Sequence, residues 1–341
     1  MVLRAINRLP IFFTVLFITT YFVNKYVLSV LRFTYPCIFQ GWQTLVGAVM
    51  LKTLHSTHHI EMNLKEADRY SFLGSVPSSV FFVVAIYSGS KALSKLAIPF
   101  FLTVHNVIAF VNSLGDFIIN RELIHPIRYF MVVVILMSAM FIGHIDPQYD
   151  FDGYVWMVVH VISMGVYNVY SNTFGPHLVG LGGLEKLLIC YVVSCIVLGP
   201  SSYFLGDALR ASQFPFFHFY KFYIGCILSG VCGCLLNMCA IYMRETGSSG
   251  NRMNVEYYAA VAKVLSSVLS IHLFDVKLTI ECLFWMGINM VMNIAVTHPK
   301  LYEAFSPSKK SDLNMDKTKQ NGNHPTHSVS EKEKHSQSYN V

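Results

Sequence analysis

Two lysines stand inside runs that are otherwise as apolar as lipid requires. Lys25 follows the stretch from Leu9 to Val23 and is itself followed by Tyr26-Val27-Leu28, while Lys263 lies about eight residues from Val255 and eleven from Phe274. A lysine at the centre of a membrane helix is disfavoured by roughly 2.5–3.5 kcal/mol on insertion scales, so it usually faces a protein-lined cavity. The competing explanation is that the four-carbon stem lifts the ammonium to the interface. It fits Lys25, nearer the end of its run, better than Lys263. Neutral polar residues hold comparable positions: Asn24, His105, Asn106, Tyr167, Asn168, Tyr257 and Tyr258. Any one of them is equally explained as a helix–helix hydrogen bond worth about 0.6 kcal/mol. Together with two cations they describe a site for an anionic, hydrogen-bonding, partly aromatic solute. A diphosphate joined to a sugar and a base has that chemistry. Its phosphates neutralise lysines, aromatic rings stack the base, and amides read hydroxyls.

The elements that must position these residues follow from composition. The 341 residues are 54% hydrophobic and 13% charged, with a mean hydropathy of +0.48. Soluble domains carry about 25% charged residues. The missing charge is concentrated in blocks of about 20 apolar residues, the length that crosses a ~30 Å hydrocarbon core. The reading is an all-α polytopic membrane protein. Its spans fall near 10–31, 35–54, 70–89, 97–118, 127–144, 153–173, 184–205, 219–242, 255–274 and 280–297. Breaks are marked by Tyr35-Pro36, the 55–69 loop, Asp146-Pro147, Gly199-Pro200, Arg244-Glu245 through Arg252, and Asp275 with Lys277. The short, basic Ser90–Lys95 stretch is expected to join the third and fourth spans.

Five spans precede the acidic 144–152 loop and five follow it, giving halves of about 10–144 and 153–297. An odd number per half makes the second half enter from the opposite side, the arithmetic of an inverted repeat and a common plan of secondary transporters. Spans four and nine hold matching places, and each ends on an acid, Asp116 and Asp275. With the N-terminal residues 1–9 in the cytosol, that side collects eleven Lys and Arg near the spans against six on the other. This bias places both termini in the cytosol. Beyond Phe305 the composition turns to Ser, Lys, Asn, His and Glu, too polar to bury a core, so residues 305–341 are expected to form a disordered cytosolic tail.

Several classes are excluded. The net charge of +6 is small and dispersed, six of the 25 Lys and Arg lying after Lys300, and it offers nothing to nucleic acid. The eight cysteines fall in or beside apolar runs, and Cys232-x-Cys234 has no second pair to complete a zinc site, so they read as buried thiols and no metal is expected. His55, His58 and His59 sit in a charged loop and read as solvated surface. The opening Arg4, Arg8 and apolar run extends past the length of a signal peptide and reads as a retained helix. No Asn-x-Ser/Thr sequon occurs. There is no nucleotide-binding glycine loop, no set of acids and histidines within the spans for an enzyme, and scarcely a span-embedded carboxylate for a proton relay. The chain reads as a carrier without catalytic chemistry or cofactor, its surroundings the lipid bilayer.

Asn24-Lys25-Tyr26-Val27-Leu28, followed by Phe33-Thr34-Tyr35-Pro36 and Gln40, resembles a signature of the nucleotide-sugar transporters of the drug/metabolite transporter superfamily. Lys91-Ala92-Leu93 through Leu96-Ala97-Ile98-Pro99 is similar to the stretch before their fourth helix. Gly115-Asp116 through Arg121-Glu122 is similar to that helix's acidic exit, and Val261-Ala262-Lys263 to the motif lysine of their ninth. The resemblance spans residues 10–300 and is nearest an animal Golgi branch held to carry UDP-N-acetylglucosamine. It implies an antiporter that brings a UDP-sugar into the Golgi lumen and returns UMP, the endoplasmic reticulum being the alternative compartment and a homodimer compatible with it. On this reading Lys25 and Lys263 are expected to meet phosphate, Asn24, His105 and Asn106 to make polar contacts, Tyr257 and Tyr258 to stack or line, and Tyr167 and Asn168 to belong to the same substrate site. Members that carry GDP-mannose have paired amides in helix seven, where this chain reads Ile189-Cys190-Tyr191-Val192-Val193. Guanine is therefore disfavoured as the base. A GDP-mannose carrier, a carrier of another anionic metabolite such as a sugar phosphate, and a non-transporting scaffold acting through its tail remain the alternatives.

Overall fold

A chain in lipid has no water to satisfy its backbone, so every N–H and C=O must be paired within the protein. The computed structural model meets this demand with helices. It describes residues 2–63, 69–119, 121, 125–178, 180–245 and 254–298, and among these there is no strand. Helix α1 (Val2–Lys25) runs into a π-turn (Tyr26–Val30) and is followed by α2 (Pro36–Ser56) and α3 (Arg69–Lys95). Next come α4 (Ile98–His105), α5 (Ile108–Ile119), α6 (Pro126–Ile145), α7 (Phe151–Thr173) and α8 (Gly183–Phe204). The short α9 (Asp207–Ala211) leads to α10 (Tyr220–Glu245), α11 (Val255–Leu273) and α12 (Ile280–Thr297).

Among the described residues, seven stretches are long and apolar enough to cross a membrane: Arg8–Val30, Arg69–Lys95, Ile98–Ile119, Pro126–Ile145, Gly183–Phe204, Tyr220–Glu245 and Ile280–Thr297. The protein is an all-helical, polytopic membrane protein. Helices α2, α7 and α11 have 21, 23 and 19 residues, comparable in length but richer in polar side chains.

The local breaks differ from expectation in three places. Ser90–Lys95 is not a linker: α3 runs through it to Lys95 and the joint shrinks to Leu96-Ala97. Nothing in that stretch breaks a helix, whereas Pro99 at the start of α4 forces its entry. Gly199-Pro200 does not end α8, which continues to Phe204; the turn falls at Gly206, whose φ of 75° is left-handed. Pro200 removes only one N–H near the helix end, and the last turn is tied down by Ser201 Oγ on Val197 O and Ser202 Oγ on Gly199 O. The fourth stretch, in contrast, is interrupted at Asn106-Val107 between α4 and α5. The tail from 305 onward lies outside the described residues.

Helix α3 packs on α7 and α8, α1 on α10 and α11, and α2 on α8 and α10. Helix α5 packs on α7, α4 on α11, and α6 on α12. The α5–α7 contact is a reciprocal exchange of small for large: Val169 covers Gly115, and Val111 covers Gly165. A Cβ on either glycine would collide with the facing valine, so only glycine permits this approach. The loops bond in two sets. In one, Tyr35 Oη donates to Arg210 O (3.2 Å), Cys37 N to Asp207 (3.2 Å) and Lys277 N to Gln148 (3.3 Å), while Lys95 pairs with Asp150 and Asp152. In the other, Asn63 N donates to Glu185 (2.9 Å), Lys186 Nζ to Gly175 O (2.8 Å) and Asn254 to Thr297 O (2.6 Å), and Arg244 pairs with Glu256.

Candidate functional site

The interruption of α4 gives the site its geometry. At Asn106-Val107 the backbone bonds tighten to the i−3 type, Asn106 N donating to Thr103 O and Val107 N to Val104 O. Two side chains at this break meet one from α11. Lys263 Nζ lies 3.0 Å from His105 Nδ1 and donates to Asn106 Oδ1 at 2.9 Å. An ammonium has donors only, so His105 Nδ1 is the acceptor and a neutral His105 carries its proton on Nε2.

The chain of bonds continues through the bundle. Asn106 Nδ2 donates to Asn289 Oδ1 (2.9 Å) on α12, and Asn289 Nδ2 donates to Ile135 O (3.0 Å) and Ser138 Oγ (2.8 Å) on α6. Asn106, Asn289 and Ser138 are buried, and so is Lys263. Among the described residues Lys263 makes no ion pair. A buried ammonium held by neutral groups alone keeps most of its desolvation penalty.

His160 on α7 adjoins this cluster, its ring centre 5.3 Å from that of His105 and 5.6 Å from Phe101. Its Nδ1 is 2.8 Å from Ala85 O on α3. Neither His160 nor Asn289 was singled out by sequence reasoning. The signal for both was a polar side chain within an apolar run, weaker than a lysine's because such residues often serve as helix–helix contacts.

The remaining candidates are distributed over other helix junctions. Lys25 Nζ donates to Leu93 O (2.8 Å) and Leu96 O (2.7 Å), and Ser29 Oγ of the π-turn donates to Ser94 O (2.6 Å). Leu93 and Ser94 are in the last turn of α3 and Leu96 follows it directly, so these are carbonyls that the helix itself cannot satisfy. Positive charge at a helix C-terminus is stabilising, so α1 caps α3. Asn24 Oδ1 accepts from Gln43 Nε2 (3.0 Å) and from Ser229 Oγ (2.5 Å), joining α1, α2 and α10. Gln40, from the same motif, donates to Ser90 Oγ. Tyr167 packs beside Phe82, ring centres 5.6 Å apart, and Asn168 is half-buried next to it on α7. Tyr257 and Tyr258 are in the first turn of α11, edge-to-face at 5.6 Å, Tyr257 also meeting His298 at 5.4 Å. The structure thus joins Lys263, His105 and Asn106 and places Lys25, Asn24, Tyr167, Asn168, Tyr257 and Tyr258 elsewhere.

Fold and site define a polytopic helical membrane protein with a cationic polar cluster buried between its helices. No protein-family model matches the chain. One curated relative, the UDP-N-acetylglucosamine transporter TMEM241 homolog of Xenopus laevis, is 38% identical over 79% of this chain and 88% of its own length. The mouse UDP-N-acetylglucosamine transporter TMEM241 is 33% identical over 80% of this chain and 90% of its own. The chain belongs to the TMEM241 family of nucleotide-sugar transporters. A GDP-mannose transporter of Chaetomium globosum is more distant, 22% identical over 82% of this chain and 75% of its own length. A solved crystal structure matches with a TM-score of 0.52 over 84% of this chain and 96% of the other, at 14% identity, which speaks to the fold alone.

Proposed function

We propose that this protein is a nucleotide-sugar antiporter of the Golgi membrane, carrying UDP-N-acetylglucosamine into the lumen in exchange for UMP. Its ten crossings would form two inverted five-helix repeats, the α4–α5 rod counting as one, with both termini in the cytosol. The packing supports this plan. Exchanging the halves turns α3 on α7 into α10 on α1, and α3 on α8 into α10 on α2. Contacts of both kinds are present, and three of the five helices touch their own counterpart, α2 on α8, α4 on α11 and α6 on α12. The two sets of bonded loops are those that ten crossings would put on opposite faces.

One observation carries the mechanism. Asn106 and Lys263 each lie eight residues beyond the first residue of their rods, Ile98 and Val255, and they are bonded to each other at 2.9 Å. Repeat-equivalent residues touch only near the axis that relates the halves, where such carriers hold their substrate. Lys263 has a third proton for a phosphate oxygen, a charge-assisted bond stronger than those to its neutral partners. Asn106, held through Asn289 and Ser138, keeps the lysine aimed. Substrate phosphate removes the penalty of the bare ammonium, so the loaded carrier reorients and the empty one stalls. Lys25, Asn24, Tyr167, Asn168, Tyr257 and Tyr258 would line the path or hold the helices that form it.

The base is assigned as uracil. Guanine presents a donor-rich edge that calls for paired acceptors, and the stretch Ile189 to Val193 on α8 supplies no side-chain amide. Substrate identity in the TMEM241 relatives points the same way. Uptake of labelled nucleotide sugars by reconstituted protein tests the proposal: UDP-N-acetylglucosamine should enter UMP-loaded vesicles. Preference for GDP-mannose would assign the substrate of the more distant relatives, and uptake of sugar phosphate without a nucleoside would refute nucleotide recognition.

A further inference from the structure

Resting on the reading that Lys263 holds the substrate phosphates, we propose that His160 determines specificity in the transport site. Its Nε2 accepts a hydrogen bond from a substrate hydroxyl next to the diphosphate, on the ribose or on the transferred sugar. The ring is fixed from behind. Nδ1 sits 2.8 Å from Ala85 O, and a Cβ on Gly89 would fall 2.8 Å from the same nitrogen. The carbonyl of Ala85 and the bare Cα of Gly89, one turn apart on α3, thus form a seat that needs glycine at 89. A carbonyl only accepts, so Nδ1 carries the proton, and in the neutral ring Nε2 is left with a lone pair.

That lone pair is unanswered. His160 is 8% exposed, and Nε2 has no hydrogen-bond partner among the described residues. Buried polar groups without partners are uncommon enough to require a reason. The hydroxyls of Ser266 and Ser267, also unpaired, are weaker evidence because a helix serine can rotate onto its own backbone. An imidazole clamped through Nδ1 cannot turn its other edge away.

Position selects the ligand group. His105 bridges the two parts of the site, 3.0 Å from Lys263 Nζ through Nδ1 and 5.3 Å, centre to centre, from the ring of His160. Phosphate oxygens are acceptors, as Nε2 is, so they belong on Lys263. The base's N–H groups are separated from the diphosphate by a whole ribose. On the ribose side of the phosphates the nearest donors are hydroxyls, the only ones shared by UMP and UDP-N-acetylglucosamine; on the sugar side the hydroxyls come just after the 2-acetamido N–H.

The test measures binding to the purified full-length protein. The probes are UMP with its 2′-deoxy and 3′-deoxy forms, UDP-N-acetylglucosamine with analogues deoxygenated on the sugar, and the same series on GMP and GDP-mannose. Wild type should bind one deoxy analogue about tenfold more weakly than its parent, the usual scale for one lost buried hydrogen bond. His160→Phe should erase that difference by weakening only the parent, and His160→Gln should restore part of it. Loss at a deoxyribose position places the contact on the ribose, and loss at a deoxysugar position places it on the sugar. The assignment is overturned if His160→Phe weakens all ligands equally, or if it keeps the discrimination intact. Wild type that binds every deoxy analogue as tightly as its parent overturns it without any variant, so a variant that fails to fold leaves the test decisive. Preference for the guanosine series would refute uracil as the base while the His160 comparison proceeds on that series.

Discussion

Lys25 and Lys263 are both buried in helices within the bundle, yet their ammonium groups meet opposite kinds of partner. Lys25 is turned onto the C-terminal end of α3, where the carbonyls of Leu93 and of Leu96 just beyond it accept at 2.8 and 2.7 Å. The end of a helix carries roughly half a negative charge, so this lysine is largely compensated by the fold itself. Lys263 faces an imidazole nitrogen and an amide oxygen, both neutral and both on the interrupted rod α4–α5. One lysine completes a helix. The other meets only neutral side chains, and on the proposed function substitutions at the two positions should fail differently.

The largest effect is expected at Lys263. Lys263→Ala should reduce nucleotide-sugar uptake by at least about a hundredfold, the scale of losing one buried charge-assisted contact in a dry site. Lys263→Arg should keep part of the rate, because charge survives while geometry changes. The apoprotein should melt near the wild-type temperature: His105 and Asn106 lose a donor, but a bare charge no longer has to be buried. Normal exchange by the alanine variant would show that Lys263 is not the phosphate group.

Asn106 offers a sharper version of the same contrast. Asn106→Asp puts a carboxylate where Lys263 now meets an amide oxygen, giving the lysine the compensation that Lys25 already has. Substrate phosphate must then displace an internal anion. UMP affinity should fall about tenfold to a hundredfold, while the apoprotein becomes no less stable. Unchanged affinity would mean that phosphate binds away from this bond.

The stalled return of an empty carrier predicts a somewhat smaller effect. Vesicles preloaded with UMP should take up UDP-N-acetylglucosamine about tenfold faster than empty ones, since an unneutralised buried ammonium is disfavoured by several kcal/mol. Equal rates would mean that Lys263 does not gate reorientation. In Asn106→Asp the two rates should converge, because the lysine then travels neutralised.

How far these roles could be read in the sequence depended on where the partners lie. Lys263 was legible because a charge in mid-span announces itself. Its connection to Asn289 and Ser138 and the nearness of His160 to its partner His105 were not, since those residues come from α12, α6 and α7 and meet only through packing. Ser90–Lys95 read as a loop because it is basic and polar. It is the last turn of α3, and its carbonyls are satisfied by Lys25 and Ser29 from a helix some 65 residues earlier. A tertiary cap leaves no mark within the helix that it ends. Lys25 stands out in the sequence as strongly as Lys263 does, and nothing local shows that one meets the end of a helix and the other two neutral side chains.

Lys25→Met tests that separation. Two charge-assisted bonds to carbonyls would be lost, about 1.5–3 kcal/mol for a hydrogen bond to a charged group, and both carbonyls would be left in an apolar setting. Melting in detergent should therefore fall by several degrees, and UMP affinity should change by no more than a few-fold. A variant with wild-type melting and the binding defect of Lys263→Ala would return Lys25 to the phosphates, as its motif implies.

The smallest effect belongs to a third lysine, which carries the comparison to the protein's edge. Lys95 ends the helix that Lys25 caps, and it has what Lys263 lacks, two carboxylates at 3.2 and 3.0 Å, Asp150 and Asp152. By charge counting it is the best-paired of the three. Its side chain is 34% exposed, however, and those of its partners 40% and 69%, so water and salt screen the attraction and an exposed pair contributes about 0–1 kcal/mol. Lys95→Ala should shift melting by a degree or two at low salt and by less at high salt, with uptake unchanged. A larger loss that persists in high salt would show that the α3 corner is held by this pair and not by Lys25, and the capping role would have to move from the buried lysine to the exposed one.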